Sequence, residues 1–187
     1  APYAQGKSKV RGIDVLLKRR FKNFRSWISY TLSETLYEFP TIPPGVFPAP
    51  HDQQHVLQWV NIYKDGPWEF SVGVNFRTGL PFRDASGIAL EENSMGELVP
   101  RIQYNELNSS RLGPYFRTDA SVIYNFGSIQ SGKGFVGMSI QNVTNRANVL
   151  GRDFYRGNAT ANGSPILLST DELGLRFTPN VSVGVRW

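Results

Sequence analysis

Residues 68–77 read WEFSVGVNFR, in which every second side chain is apolar. Its apolar side chains are Trp68, Phe70, Val72, Val74 and Phe76. Side chains of a β-strand point in turn to opposite faces of the sheet, so this period of two predicts a strand with one apolar and one polar face. The stretch therefore places the chain among the β-proteins.

The same period recurs along the rest of the chain. It predicts seven strands, at residues 10–21, 25–37, 55–63, 68–78, 116–126, 134–145 and 180–187. In the first of them, Ile13, Leu16 and Leu17 also fit an amphipathic helix with a basic face, and the pattern alone leaves both interpretations open. The other segments predict an all-β chain.

Composition narrows the class of protein. The chain has 187 residues, a net charge of +5 and no cysteine, which excludes a disulfide framework and a thiol nucleophile. Residues 1–25 carry eight basic side chains and one acidic side chain, so they account for the positive charge. No apolar run approaches the roughly 18 residues of a membrane helix. The first residues lack a signal-peptide pattern, so we expect a processed chain or one that starts within a larger protein.

The connections between the predicted strands alternate in length. Short ones lie near residues 22–23, 64–67 and 127–133, and long ones span 38–50, 79–115 and 145–179. A soluble β-sandwich shows the same apolar and polar alternation along its strands, so alternation alone leaves that alternative open. Long loops at one end and short turns at the other are typical of outer-membrane β-barrels, whose short turns are periplasmic. We therefore favour an antiparallel transmembrane β-barrel segment.

The number of predicted strands indicates whether residues 1–187 could close into a barrel by themselves. Bacterial single-chain barrels have even strand numbers, whereas seven strands leave the two ends on opposite sides of the membrane. A hairpin hidden in a long connection would add two strands and leave the parity unchanged. We therefore expect residues 1–187 to be the C-terminal part of a larger barrel. A small complete outer-membrane barrel or enzyme is disfavoured by the same parity.

Six stretches carry a family resemblance. They are VRGIDVLLKRRF at residues 10–21, WISYTLS at 27–33, FPAPHDQQH at 47–55, FRTGLP at 76–81, YFRTD at 115–119 and IQNVTNR at 140–146. In this order and spacing they resemble the late barrel strands of TonB-dependent outer-membrane receptors, above all the Bacteroidota-type members. The resemblance covers most of the chain outside residues 83–110. It implies strand, turn and strand over residues 10–37 rather than a helix.

The resemblance implies a function and a set of partners. Receptors of this family are 22-stranded barrels around an N-terminal plug domain, and they import scarce nutrients such as siderophores, vitamins, oligosaccharides or peptides. Their energy comes from the inner-membrane TonB complex. Because the chain has about seven strands and no plug, its expected partners are the remainder of the barrel with its plug, the TonB complex through that remainder, and the lipid and lipopolysaccharide of the outer membrane.

Motifs for other chemistry are weak. GKGFVG at residues 132–137 has the spacing GxGxxG, but a strand pattern follows it where a dinucleotide site needs a helix. On a strand His51 and His55 would lie roughly 13 Å apart, too far for one metal ion. No GxSxG sequence marks a serine nucleophile. We expect no enzyme activity, cofactor, metal site or nucleic-acid partner.

The candidate substrate contacts are charged residues near the predicted outer end. Arg77 and Arg117 lie near the outer ends of their strands, and Arg152 and Asp153 lie in the last long loop. An inter-strand charge pair between Arg117 and Asp119 is the structural alternative for Arg117.

The last strand resembles the terminal signal by which bacterial outer-membrane proteins are recognised for insertion. Val181, Val183 and Val185 form an apolar face that we expect to contact lipid, and Trp187 ends the chain. An amphipathic ring such as that of Trp187 is favoured at the periplasmic headgroup level. The strand also needs a partner from the missing part of the barrel, since an open edge in lipid leaves backbone groups unsatisfied.

The assigned faces of residues 68–77 predict unequal effects of a new charge. Arginine at the bilayer midplane costs about 2–4 kcal/mol on the lipid face of such barrels and much less in the lumen. Val72→Arg should therefore lower the yield of membrane-assembled protein far more than the control Asn75→Arg. Equal yields of the two variants would contradict the assigned faces.

Overall fold

In a computed structural model, which describes residues 5–128, 132–157 and 165–186, the chain forms β-strands and their connections. The strands are β1 Lys7–Phe21, β2 Phe24–Glu38, β3 Val46–Pro48, β4 His55–Asp65, β5 Trp68–Arg77, β6 Pro81–Phe82, β7 Ala85–Glu92, β8 Leu98–Tyr104, β9 Ser110–Arg111, β10 Tyr115–Ser128, β11 Gly132–Gln141, β12 Val149–Gly157, β13 Ile166–Leu173 and β14 Thr178–Arg186. The prediction of an all-β chain is confirmed. Trp187 lies outside the described residues.

Seven long strands form the main sheet, in the order β1-β2-β4-β5-β10-β11-β14, with β3 added on β2. Each neighbouring pair is antiparallel. These seven correspond to the seven predicted strands, and the helical alternative for residues 10–21 is wrong. The prediction that one strand extends over 134–145 is also wrong, because β11 ends at Gln141 and a turn with positive φ at Asn142 and Asn145 follows.

Short turns join the strands at one end of the sheet, which we call the short-turn end. Phe21 pairs with Phe24 across Lys22 and Asn23, and Asp65 pairs with Trp68 across a two-residue loop. Gly66 opens that loop with φ +53°, a conformation that costs glycine least. Because each of these loops has two residues, opposite side chains stay on the same face of the sheet.

The register keeps the alternation of all seven strands in phase. One row of mutually paired residues crosses the whole sheet and is apolar or aromatic throughout: Phe21, Phe24, Tyr63, Phe70, Val122, Met138 and Val181. We call it the apolar row, and the face that it occupies the apolar face. The neighbouring row on the opposite face, the polar face, contains Arg20, Arg25, Ile62, Ser71, Ser121, Ser139 and Asn180.

The long connections lie at the other end, the long-connection end, and form strands of their own. Between β5 and β10, β6 pairs with β9 and β7 pairs with β8. Between β11 and β14, β12 pairs with β13. These added strands form separate two-stranded sheets and leave the order of the main sheet unchanged.

Buried polar side chains fix the long-connection end. Asp52, 1% exposed, accepts a hydrogen bond of 2.6 Å from the backbone N–H of Thr35 and forms a salt bridge with Arg111. Arg111 also donates to the backbone carbonyls of Asp52 at 3.0 Å and Gly79 at 3.3 Å. One carboxylate thus ties β2, the segment before β4 and β9 together.

Two buried asparagines have the same role farther along the sheet. The side chain of Asn142 donates to the carbonyls of Arg146 and Leu175, at 2.9 and 2.8 Å. Asn148 holds the backbone of Phe116 on both sides: its Oδ1 accepts from the N–H and its Nδ2 donates to the carbonyl, each at 2.9 Å. The connection after β11 is therefore fastened to β10 and to the segment before β14.

Within the described residues the sheet stays open. β1 pairs with β2 alone and β14 with β11 alone, and both edge strands run from the long-connection end to the short-turn end. No helix that is long and apolar enough to cross a membrane occurs in the described ranges.

Replacement of the buried carboxylate tests this anchor. Asp52→Ala should lower the free energy of unfolding by about 3 kcal/mol, because it leaves the Thr35 N–H and Arg111 without their acceptor. Asp65→Ala, at an exposed position of the short-turn end, should change it by less than about 0.5 kcal/mol. Urea titration measures both variants, and equal stabilities would show that Asp52 is not an anchor.

Candidate functional site

The apolar face of the sheet is the more exposed one. On β5, Trp68, Phe70 and Val72 are each 44% exposed, whereas the residues between them are half-buried. On the edge strand β14, Val181 is 76% exposed and Val183 67%. Burial of apolar side chains is the main favourable term in folding in water. Exposure of this face to water is therefore unfavourable, and an apolar partner beyond the described residues would stabilise it.

Aromatic rings concentrate on this face at the short-turn end. They are Phe21, Phe24, Tyr63, Trp68, Tyr124 and Phe126, here called the aromatic band, and all are exposed. The rings of Trp68 and Tyr124 lie 4.7 Å apart between centroids. Lys22, in the turn, lies 5.6 Å from the ring centre of Phe21, and the exposed Arg20 and Arg25 lie at the same end on the polar face. The combination is suited to an interface between an apolar phase and anionic groups.

The polar face has a depression of about 360 Å³ at the long-connection end. Gln58, Asn75 and Arg117 are paired across β4, β5 and β10, and all three line it. The next row brings Arg77 opposite Tyr115, and the Arg77 guanidinium lies 4.2 Å from the centre of the tyrosine ring. We call this group, together with Gln53, the arginine depression.

Arg117 reaches the depression with part of its charge already paired. Its Nε and Nη2 contact Asp119 Oδ2 at 3.0 and 2.9 Å. The predicted pairing thus exists, but its inter-strand assignment is wrong, since both residues belong to β10. Asp119 Oδ1 also accepts a hydrogen bond from the backbone N–H of the buried Asn142 at 2.9 Å. Asp119 therefore connects Arg117 of the depression to the turn that follows β11.

Arg152 and Asp153 belong to a different place. Both lie on β12, where Arg152 faces Asp171 of β13 and donates two hydrogen bonds to its carboxylate, at 2.6 and 3.0 Å. Asp153 is exposed and faces Thr170. Neither residue lines the arginine depression. The structure therefore brings Arg77 and Arg117 together and separates the other two candidates from them.

An aromatic cluster that the sequence did not predict joins the long connections. Phe82 stacks on Phe154 and Tyr104 meets Phe154 edge-on, each pair with 6.3 Å between centroids. Arg152 lies 5.7 Å from the ring centre of Phe82, and Arg83 lies 5.2 Å from that of Tyr104. The β12–β13 hairpin is thereby held against β6 and β8.

Charge pairing affects one group of this hairpin. The hydrogen bond from the Arg152 guanidinium lowers the pKa of Asp171 below its ordinary value of 3.8, against a smaller opposing effect of burial. The same contact raises the pKa of Arg152. The pair is therefore charged at neutral pH.

The motifs for other chemistry occupy ordinary structural positions. The Nδ1 atom of His55, the first residue of β4, lies 2.8 Å from the Tyr30 hydroxyl. GKGFVG forms the first part of β11, with β-strand rather than helix after it. Among the described residues, no group of three His, Cys, Asp or Glu side chains is arranged to hold a metal ion.

No protein-family profile, curated protein or solved structure matches the chain. The resemblance to TonB-dependent receptors therefore rests on the six quoted stretches. The features that bear on function are the two faces of the sheet and the groups at its long-connection end.

The Arg152–Asp171 pair gives a pH-dependent prediction. Because the pKa of Asp171 is lower in the folded chain, the stabilisation by the pair is complete above pH 3.8 and is lost as the pH falls through the folded value. In Arg152→Gln the pKa of Asp171 should return towards 3.8, while Arg156→Gln on the same strand leaves it low. Carboxyl NMR titration measures it, and an unchanged value in Arg152→Gln would contradict the assigned cause.

Proposed function

We propose that the chain forms part of the barrel wall of a TonB-dependent outer-membrane transporter that imports a scarce nutrient. The observation that carries the proposal is the apolar row, which crosses all seven strands on the more exposed face. In a soluble sandwich such a face is packed against a second sheet. In a barrel wall it contacts lipid.

The dimensions of the sheet support a membrane location. The apolar positions of β5 extend over nine residues, from Trp68 to Phe76, and a tilted transmembrane strand needs about 9–11 residues. The aromatic band lies at the short-turn end of the same face, where barrels have an aromatic girdle at the headgroup level. The predicted lipid contacts Val74, Val181, Val183 and Val185 belong to this face.

The direction of the edge strands supports a larger assembly. β1 and β14 run the same way, so an antiparallel barrel that contains this sheet needs an odd number of additional strands between them. The 22 strands implied by the resemblance would require fifteen more, which is odd. We assign these strands and the plug to the remainder of the same barrel, from the same polypeptide or from a separate one.

The two ends and the polar face have distinct roles in this proposal. The polar face lines the lumen and faces the plug, through which the TonB complex acts. The hairpins β7–β8 and β12–β13 lie outside the cell, where they help to capture substrate. Arg77 and Arg117 are the substrate contacts within the lumen, and Arg152 and Asp153 are those of the outer hairpin.

Residues 1–187 contain no cysteine, so cysteines introduced there allow a labelling test in intact cells. Asn93→Cys, between β7 and β8, should react with a membrane-impermeant maleimide from outside, and Asn23→Cys should react only after the outer membrane is opened. Phe70→Cys should be shielded by lipid and should react only after detergent denaturation. Its neighbour Ser71→Cys lies on the polar face and should react in the folded protein wherever water, and with it the reagent, reaches that face. A detergent-free soluble chain in which Phe70→Cys is shielded would instead support a β-sandwich.

A further inference from the structure

We infer that the arginine depression is a binding site for a small solute that carries one carboxylate beside hydroxyl or amide groups. The inference rests on the proposed function, because it takes the polar face to line a water-filled lumen. It adds the charged and polar groups that the substrate carries, which the resemblance leaves open.

The charge of the depression favours an anion. Arg77 and Arg117 contribute two positive charges, and no acidic residue is among those that line the depression. Asp119 pairs with Arg117 and reduces the local charge to about one unit. In the described part of the chain Arg77 forms no salt bridge with a carboxylate. One negative group therefore completes the charge balance.

Stacking orients the Arg77 side chain for this role. With the guanidinium 4.2 Å from the ring centre of Tyr115, the ring attracts the cation. The N–H groups of a guanidinium lie in its plane and remain able to donate when a face is covered. Tyr115 thus holds the cation without consuming its donors, which lowers the entropic cost of binding an acceptor.

The spacing suits a carboxylate. Arg77 and Arg117 are diagonal neighbours across β5 and β10, and such positions lie roughly 7–8 Å apart. Long side chains at such backbone positions can reach a common ligand, and a carboxylate can accept charge-assisted hydrogen bonds of about 2.8 Å at both of its oxygens. Partial burial strengthens the contact, since the side chains of Arg117 and Asp119 are only 27% exposed.

The other polar residues that line the depression determine which further groups a bound solute can carry beside its carboxylate. Val56 and Phe76 also line the depression, and its other polar groups are the side chains of Gln53, Gln58 and Asn75, whose amides can both donate and accept hydrogen bonds. Hydroxyl and amide groups of a solute match such partners, whereas an alkyl chain leaves them unpaired. A hydroxylated acid therefore fits better than a fatty acid of equal charge.

Binding of two matched sugars tests the inference. The full chain, purified in detergent with whatever subunits it retains, is titrated calorimetrically at low salt with glucuronate and with glucose. Glucuronate should bind and glucose should not, and binding should weaken as sodium chloride is added. In Arg77→Gln the dissociation constant should rise about ten- to hundredfold, because a charge-assisted contact is lost.

Controls separate a site from general attraction. Arg25→Gln removes an arginine from the same face at the short-turn end and should leave the dissociation constant unchanged. Tyr115→Phe keeps the stacking ring and should retain binding, whereas Tyr115→Ala should weaken it. Equal affinities in Arg25→Gln and Arg77→Gln would overturn the inference.

One further outcome refutes the solute site. If neither glucuronate nor glucose binds to the unaltered protein, the arginine depression does not bind a hydroxylated carboxylate. The cysteine labelling is independent of this result. A chain labelled as expected for a barrel but unable to bind glucuronate refutes the solute site alone, and a failed labelling pattern refutes the barrel.

Discussion

The phase of the strand register is the constraint on which the two faces depend. Side chains alternate with a period of two, so a slip of one residue at any pairing would move an entire strand's apolar set to the opposite face. At the short-turn end two-residue loops prevent such a slip between β1 and β2 and between β4 and β5. The apolar row is the product of six correct pairings.

At the long-connection end the connections between neighbouring strands are too long to set the register, and buried polar side chains fix it instead. Asp52 fixes β4 relative to β2, and Asn142 and Asn148 fix the segments around β10 and β14. Unpaired buried polar groups are costly, so each anchor favours the one arrangement that satisfies it. In the described ranges every buried side-chain nitrogen and oxygen has a partner. Specificity here comes from polar groups rather than from a large apolar core.

How far the sequence predicts this structure depends on how local the signal is. The seven strands are predictable because the alternation of apolar and polar side chains is visible in consecutive residues. Residues 10–21 are the exception, because they form a strand through pairing with β2, which no local pattern reveals. The sequence does not predict β8, because Pro100 argues against a strand interior. Val143 and Thr144 favour a strand by residue type, but Val143 is out of phase with Met138 and Ile140, and β11 ends at Gln141 because the buried Asn142 begins a turn with positive φ. Arg77 and Arg117 were predictable as charged strand ends, whereas the stacking on Tyr115 depends on register alone.

The alternation also separates two properties that the proposed barrel wall must combine, contact with lipid and contact with a solute. Phe76 and Arg77 are neighbours in sequence, yet they lie on opposite faces, one with the apolar side chains and the other in the arginine depression. A substitution on the polar face therefore leaves the contacts of the apolar face intact, provided that the register holds. Because the register is held by Asp52, Asn142, Asn148 and the short turns, none of which lines the depression, the chemistry of a bound solute can change without altering how the sheet is placed. In the proposed barrel this independence lets one wall architecture serve different nutrients.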